Sequence, residues 1–142
     1  MLVILDTDVL TLLQRQSQPA YARLQQRLVR LSDADMATTV VSFQEQARGW
    51  LASLNQAPTE TRLLAAYASF RNLLDAFCRL NVLPYDAMAH TQFNELRRQR
   101  IRIGTMDQRI AAIALSQGAT VVTRNARDFG RVPGLKVEDW TC

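Results

Sequence analysis

Several kinds of residue on which enzymes commonly rely are scarce in this chain. It has one histidine, His90, and two cysteines, Cys78 and Cys142. A single imidazole excludes any mechanism built on a histidine pair, and two cysteines so far apart form no metal-type spacing. Lysine is nearly absent: of 17 basic residues only Lys136 is lysine. No apolar run approaches the roughly 20 residues that a bilayer requires. Asp6 interrupts the first apolar run early, so no secretory core is read there; a cytoplasmic protein with no membrane contact is expected. No linker, internal repeat or low-complexity tract divides the chain. Its 142 residues, 48% hydrophobic, suit one domain with a real core.

Arginine and short apolar runs are what the chain does have. The net charge is +4. The arginine excess reads either as compositional bias or as phosphate recognition, because the guanidinium fork binds two oxygens at once. The runs Leu2–Leu5, Met36–Val41, Asn81–Pro84, Ala119–Thr123 and Leu135–Val137 are short and apolar, as buried strands are. Helical patterns lie between them. One follows Asp8 and a second follows Ser17-Gln18-Pro19, with Tyr21, Leu24, Leu28 and Leu31 on one face. A third opens at Ser42, and a long one spans Glu60 to Leu80, with Leu63, Leu64, Tyr67, Phe70, Leu74 and Phe77 on its buried side. Asp86 caps the next helix, which ends in Arg97-Arg98-Gln99-Arg100. The last runs from Asp107 to Gln117 and closes at Gly118, and residues 124–131 read as a loop. Strands alternating with helices predict an α/β fold, a central parallel sheet flanked by helices.

The acids fall at particular places in that pattern. Asp6 follows the first strand, Glu45 lies in the first turn after the second, and Asp128 lies after "TVVT". Asp107 begins a helix that must pack on the sheet. In open parallel sheets, ligands bind beyond the carboxyl ends of the strands, and these four acids map to that edge. Carboxylates crowded together raise one another's pKa, and a hard cation such as Mg²⁺ or Mn²⁺, which prefers oxygen ligands, relieves the repulsion. Each acid also has a simpler reading. Asp6 and Asp107 can cap their helices. Ser42 and Glu45 form the S-x-x-E pattern of a capping box, and Asp128 can be a turn residue. Asp8, Asp75 and Asp86 read as caps or solvated residues.

The stretches "LDTDVL", "SFQEQARG", "GTMDQRIAAIAL" and "TRNARDFGRVPGLKVEDW" carry a resemblance to PIN-domain proteins of the VapC toxin kind, from the first strand to Trp140. The resemblance implies Mg²⁺- or Mn²⁺-dependent endoribonuclease activity on RNA, a homodimer, and inhibition by a small antitoxin. It places the acidic positions on Asp6, Glu45, Asp107 and Asp128, with Asp6, Asp107 and Asp128 toward the metal. Thr123 and Asn125 match its "TRN" turn and are expected to orient the acids. Asp8 stands where many relatives have Asn or Ser and is not counted as a ligand.

An acidic crevice that takes RNA needs a basic rim. Arg98 and Arg100 in "RRQRIR", with Arg124, Arg127 and Arg131 around Asp128, can contact backbone phosphate; a solvated helix end explains the first run equally well. The apolar surplus of Glu60–Leu80 and "GWLASL" predicts an apolar groove for a helical antitoxin segment. Two other readings remain open. "LDTDV" resembles the start of haloacid-dehalogenase-like phosphatases, with Asp6 as nucleophile, although the lysine expected before the late acidic motif is missing. The chain also reads as a non-catalytic PIN-like module for RNA binding or dimerisation.

Overall fold

The computed structural model describes Met1–Cys142. Five strands form one sheet: β1 (Val3–Leu5), β2 (Met36–Thr39), β3 (Val82–Leu83), β4 (Thr120–Val122) and β5 (Lys136–Glu138). Their order is β3-β2-β1-β4-β5, and every pairing is parallel. The chain walks outward from β1 through β2 to β3, then returns to the other side of β1 for β4. That reversal opens a crevice between β1 and β4, the switch point at which open α/β sheets bind ligands.

The helices are α1 (Thr7–Arg15), α2 (Ala20–Leu28), α3 (Val40–Gln56), α4 (Glu60–Cys78), α5 (Ala87–Arg98), α6 (Thr105–Gln117) and α7 (Ala126–Phe129). They bury both faces of the sheet, which is why the central strands read as unbroken apolar runs. Period-two alternation divides β1 between two cores. Ile4 joins Val121, Ile110, Ile113 and Leu96 beneath α5 and α6. Val3 and Leu5 join Val9, Leu12, Leu24, Leu73 and Trp140 beneath α1, α2 and α4. No helix is long and apolar enough to cross a membrane.

All five expected strands form, and several boundaries shift. β2 ends at Thr39, because the Thr39 hydroxyl accepts the Ser42 N–H at 3.1 Å and starts α3 at Val40. Ser42 is therefore a residue of the first turn and not the cap. α6 begins at Thr105 after Gly104, so Asp107 is in its first turn and does not cap it. The expected loop 124–131 contains α7. Asp86 does cap α5, accepting the Ala89 N–H at 3.0 Å.

α4 is rotated from the expected orientation. Its buried residues are Ala66, Leu73 and Phe77, with Phe70 half-buried, while Leu64, Tyr67 and Leu74 are 63%, 58% and 53% exposed and Leu63 is exposed too. Apolar residues surround this helix on several sides, so periodicity alone does not choose a face. The choice is made by contacts such as the edge-on Phe43–Phe77 pair, with ring centroids 5.0 Å apart.

Gly49 lies inside α3, where glycine costs about 1 kcal/mol relative to alanine. A Cβ there would meet no atom within 4 Å, so no close approach requires it. Gly49→Ala should therefore raise the melting temperature by about 3–4 °C, a shift that thermal unfolding followed by circular dichroism would check.

Candidate active site

The first strand delivers Asp6 to the switch point, where it performs two local tasks. Asp6 is the N-cap of α1, with Oδ1 accepting the Thr7 N–H at 2.7 Å. Its Oδ2 accepts the Thr123 hydroxyl at 2.8 Å from the end of β4. Thr123 Oγ1 accepts the Asn125 N–H at 2.9 Å, so its own proton is directed at Asp6. The "TRN" turn is thus fastened to the carboxylate that ends β1.

Asn125 spans two further acids. Its side-chain amide donates to Asp128 at 3.0 Å and reaches Asp107 at 3.5 Å. Asp107 arrives on α6, which precedes a parallel strand and so brings its N-terminus to the carboxyl edge of the sheet. Glu45 arrives on α3, one turn beyond the end of β2. Its Oε1 accepts the Thr7 hydroxyl at 2.7 Å. Thr7 also lies 3.0 Å from the Ser42 hydroxyl; with one proton to give, it donates to the carboxylate and accepts from Ser42. Glu45 is thus freed from the capping-box reading, because Thr39 caps the helix and Glu45 turns toward Thr7.

The electrostatics follow from crowding and burial. Asp6 is 5% exposed. Burial first, then the nearby Asp8 charge, push its pKa up to about 7, against the lowering effect of Thr123 and Thr7, with Asp107 adding a smaller upward push. Asp107 is pushed up to about 6 by burial, then by Glu45, Asp128 and Asp8. Asp8 is neither a cap nor a solvated residue. It accepts the Arg124 N–H at 3.3 Å, and burial raises its pKa. Asp75 is a surface residue, 3.7 Å from Arg71.

Asp6, Glu45, Asp107 and Asp128 are therefore joined through Thr7, Thr123 and Asn125 and by mutual repulsion. No group of three or more of these side chains is gathered closely enough to hold a metal ion. The donor set is all oxygen and carries excess negative charge. That suits a hard cation such as Mg²⁺, which binds through one or two carboxylates and keeps several waters.

Sequence reasoning missed Thr7, Asp8 and a polar groove. The groove, about 720 Å³, runs between α1, α3 and α4 and opens onto Thr7 and Glu45. Its trace in the sequence is a polar stripe, Thr7, Thr11 and Gln14, on α1, whose Val9, Leu10 and Leu12 are buried. The arginines divide. Arg98 is engaged by Glu95 on its own helix at 2.9 Å, whereas Arg124 and Arg127 are exposed beside Asp8 and Asp128. Arg131 lies 3.8 Å from Asp128, and Arg100 is exposed at a left-handed turn after α5, with φ 58°. His90 sits apart, with Tyr85 Oη 2.8 Å from its Nδ1 and Phe93 stacked against its ring.

The sign of the pH dependence follows from Asp6. A carboxyl whose folded pKa lies above its unfolded value binds its proton more tightly when folded. That stability is complete below about pH 4 and is lost as pH rises through about 7, on the order of 4 kcal/mol at most. Metal-free protein should unfold at lower urea concentration at pH 8 than at pH 5. Asp6→Asn, which keeps a capping acceptor, should flatten that dependence. An unchanged slope in the variant would assign it to other groups.

The family pattern described as PIN domain matches residues 3–135. A tRNA(fMet)-specific endonuclease VapC from Shigella flexneri is 45% identical over 67 residues, which are 44% of this chain and 51% of that protein. This match and that to the Salmonella typhimurium protein of the same name span about half the length of each relative. The fold superimposes on VapBC-1 from nontypeable Haemophilus influenzae with TM-score 0.78, 26% identity and complete coverage of both chains. It superimposes on DNA-bound VapBC from Salmonella typhimurium with TM-score 0.69, 30% identity and 99% coverage of each.

Proposed function

The chain belongs to the PIN-domain family, and on that premise we propose that it is a metal-dependent endoribonuclease, the toxin of a VapBC-type pair. The observation that carries this reading is the set of acids at the β1/β4 switch point, two of them with raised proton affinity. VapC relatives named as endonucleases add support.

Asp6 and Asp107 would hold Mg²⁺ or Mn²⁺, with Asp128, which Asn125 keeps beside Asp107, as the further acid on the metal side. When bound, the ion would neutralise charge on the attacked phosphate and make an attacking water more acidic. The protein's own groups supply orientation. Thr123 fixes the Asp6 carboxylate, and Asn125 keeps Asp107 and Asp128 side by side. Thr7 holds one Glu45 oxygen and leaves the other free to accept a proton from water. Arg124 and Arg127, with Arg98 and Arg100 at and just past the end of α5, would contact RNA phosphates. The phosphatase alternative loses ground because both Asp6 oxygens are already hydrogen-bonded and its carboxyl is buried, which suits a poor nucleophile. The non-catalytic alternative loses ground because no acid of the set is missing.

Glu45→Gln tests the reading. Because Thr39 is the cap, the substitution should leave the melting temperature near wild type, while RNA cleavage in millimolar Mg²⁺ should fall by about two orders of magnitude or more. Added Mg²⁺ should raise the melting temperature of wild-type protein by mass action but not that of Asp107→Asn. Normal cleavage by folded Glu45→Gln would remove Glu45 from the site, and metal-independent cleavage would remove the cation.

The partners belong to the same reading: RNA, a second copy of the chain, and a small antitoxin, in the cytoplasm. The antitoxin surface differs from the expected apolar groove. Leu63, Leu64, Tyr67 and Leu74 form an exposed stripe along α4, while the groove between α1, α3 and α4 is lined mostly by polar residues. An amphipathic helix laid along that stripe would cover it. Leu64→Glu with Tyr67→Glu should abolish co-purification with the product of the neighbouring reading frame and leave RNA cleavage intact. Retained co-purification would move the antitoxin to another face.

A further inference from the structure

We propose that the polar groove beside Glu45 is a subsite for an unpaired nucleobase of the RNA, stacked on Trp50, with Gln14 donating to it. This rests on the ribonuclease reading and adds the place where a nucleotide next to the cleaved bond is held.

The groove is a built site. Thr11 Oγ1 donates to the Thr7 carbonyl at 2.9 Å, so toward Gln46 it only accepts, from Nε2 at 3.2 Å. That contact fixes the Gln46 amide. Its nitrogen also donates to Gln14 Oε1 at 3.1 Å, and its oxygen accepts from Gln14 Nε2 at 3.2 Å. Both amides are thereby locked, and Gln14 keeps one N–H and one lone pair for a ligand. Trp50, one turn beyond Gln46, lines the same groove, and Arg15 stands on its wall where a phosphate can be met. The volume, about 720 Å³, is within the range of small-molecule sites.

Gly49 leaves the wall of the groove open. It lines this groove between Gln46 and Trp50, inside a helix that it weakens, and nothing in the protein fills the space beyond it. A side chain there would project into the room beside Trp50.

Chemistry favours a base over the antitoxin helix. Of thirteen lining residues only three are hydrophobic, and the fixed amides would be left unpaired against the apolar face of a helix. One aromatic ring with fixed amides is what unpaired bases use, stacking on the ring and bonding through their edges. The groove also begins at Thr7 and Glu45, so a base seated in it leaves its phosphate at the acids.

The test uses adenosine monophosphate as probe and ribose 5-phosphate as the control that lacks a base, both in millimolar Mg²⁺ with the full chain. Trp140 is 3% exposed, so quenching of tryptophan fluorescence reports on Trp50, and Trp50→Phe should remove it. The nucleotide should quench and the sugar phosphate should not. Gly49→Leu should match or exceed the wild-type melting temperature, lose the quenching, and raise the KM for RNA about tenfold or more, the scale of one stacking contact. Gln14→Ala, at an exposed position, should weaken nucleotide binding several-fold and serves if Gly49→Leu folds poorly. Equal quenching by both probes would overturn the proposal, as would an unchanged KM in both variants. So would a Gly49→Leu protein that cleaves normally but no longer holds its antitoxin, which would give the groove to the protein partner. Nucleotide binding without any RNA cleavage by wild type would overturn the ribonuclease reading and leave the subsite standing.

Discussion

Five carboxylates, Asp6, Asp8, Glu45, Asp107 and Asp128, share one edge of a parallel sheet, and their mutual repulsion is the constraint around which the rest is arranged. Four of them lie at helix N-termini: Asp6 and Asp8 on α1, Asp107 on α6 and Asp128 on α7. Each such placement stabilises a negative charge by about 0.3–1 kcal/mol. Burial of Asp6 acts in the opposite sense and is larger, since its pKa still rises to about 7. Hydrogen bonds from Thr7, Thr123 and Asn125 orient the acids without neutralising them. The protein thus holds an unbalanced charge at the crevice, and its stability and its chemistry draw on the same imbalance.

Much of this was legible in the sequence because it depends on short-range chemistry. All five strands announce themselves as brief apolar runs, and Asp6, Glu45 and Asp128 follow strand ends while Asp107 lies in the first turn of α6. Features set by tertiary context were not legible. Thr39 and Ser42 are both good caps, and only the way β2 leaves the sheet selects Thr39. α4 is apolar on several sides, so its buried face is chosen by Phe43 and the core, not by its own periodicity. Asp8 looked like a cap because its neighbour across the crevice, the Arg124 backbone, lies 116 residues away. The amide lock of Gln14 and Gln46 is likewise invisible until α1 and α3 are side by side.

The α3–α4 hairpin shows how one supersecondary unit can present two chemistries. Toward α1 it offers Gln46, Gly49, Trp50 and Asn72. Toward solvent it offers Leu64, Tyr67 and Leu74. A polar, hollow side adjoins the acids, and an apolar, convex side faces away.

The sheet ends in very short strands. β3 is two residues long, and β5 is three, with Lys136 and Glu138 exposed. Edges this brief, one of them charged, offer little template for strand addition. Strand addition from copy to copy is therefore disfavoured at both margins of the sheet, which leaves the helical faces as the broader surfaces of the molecule.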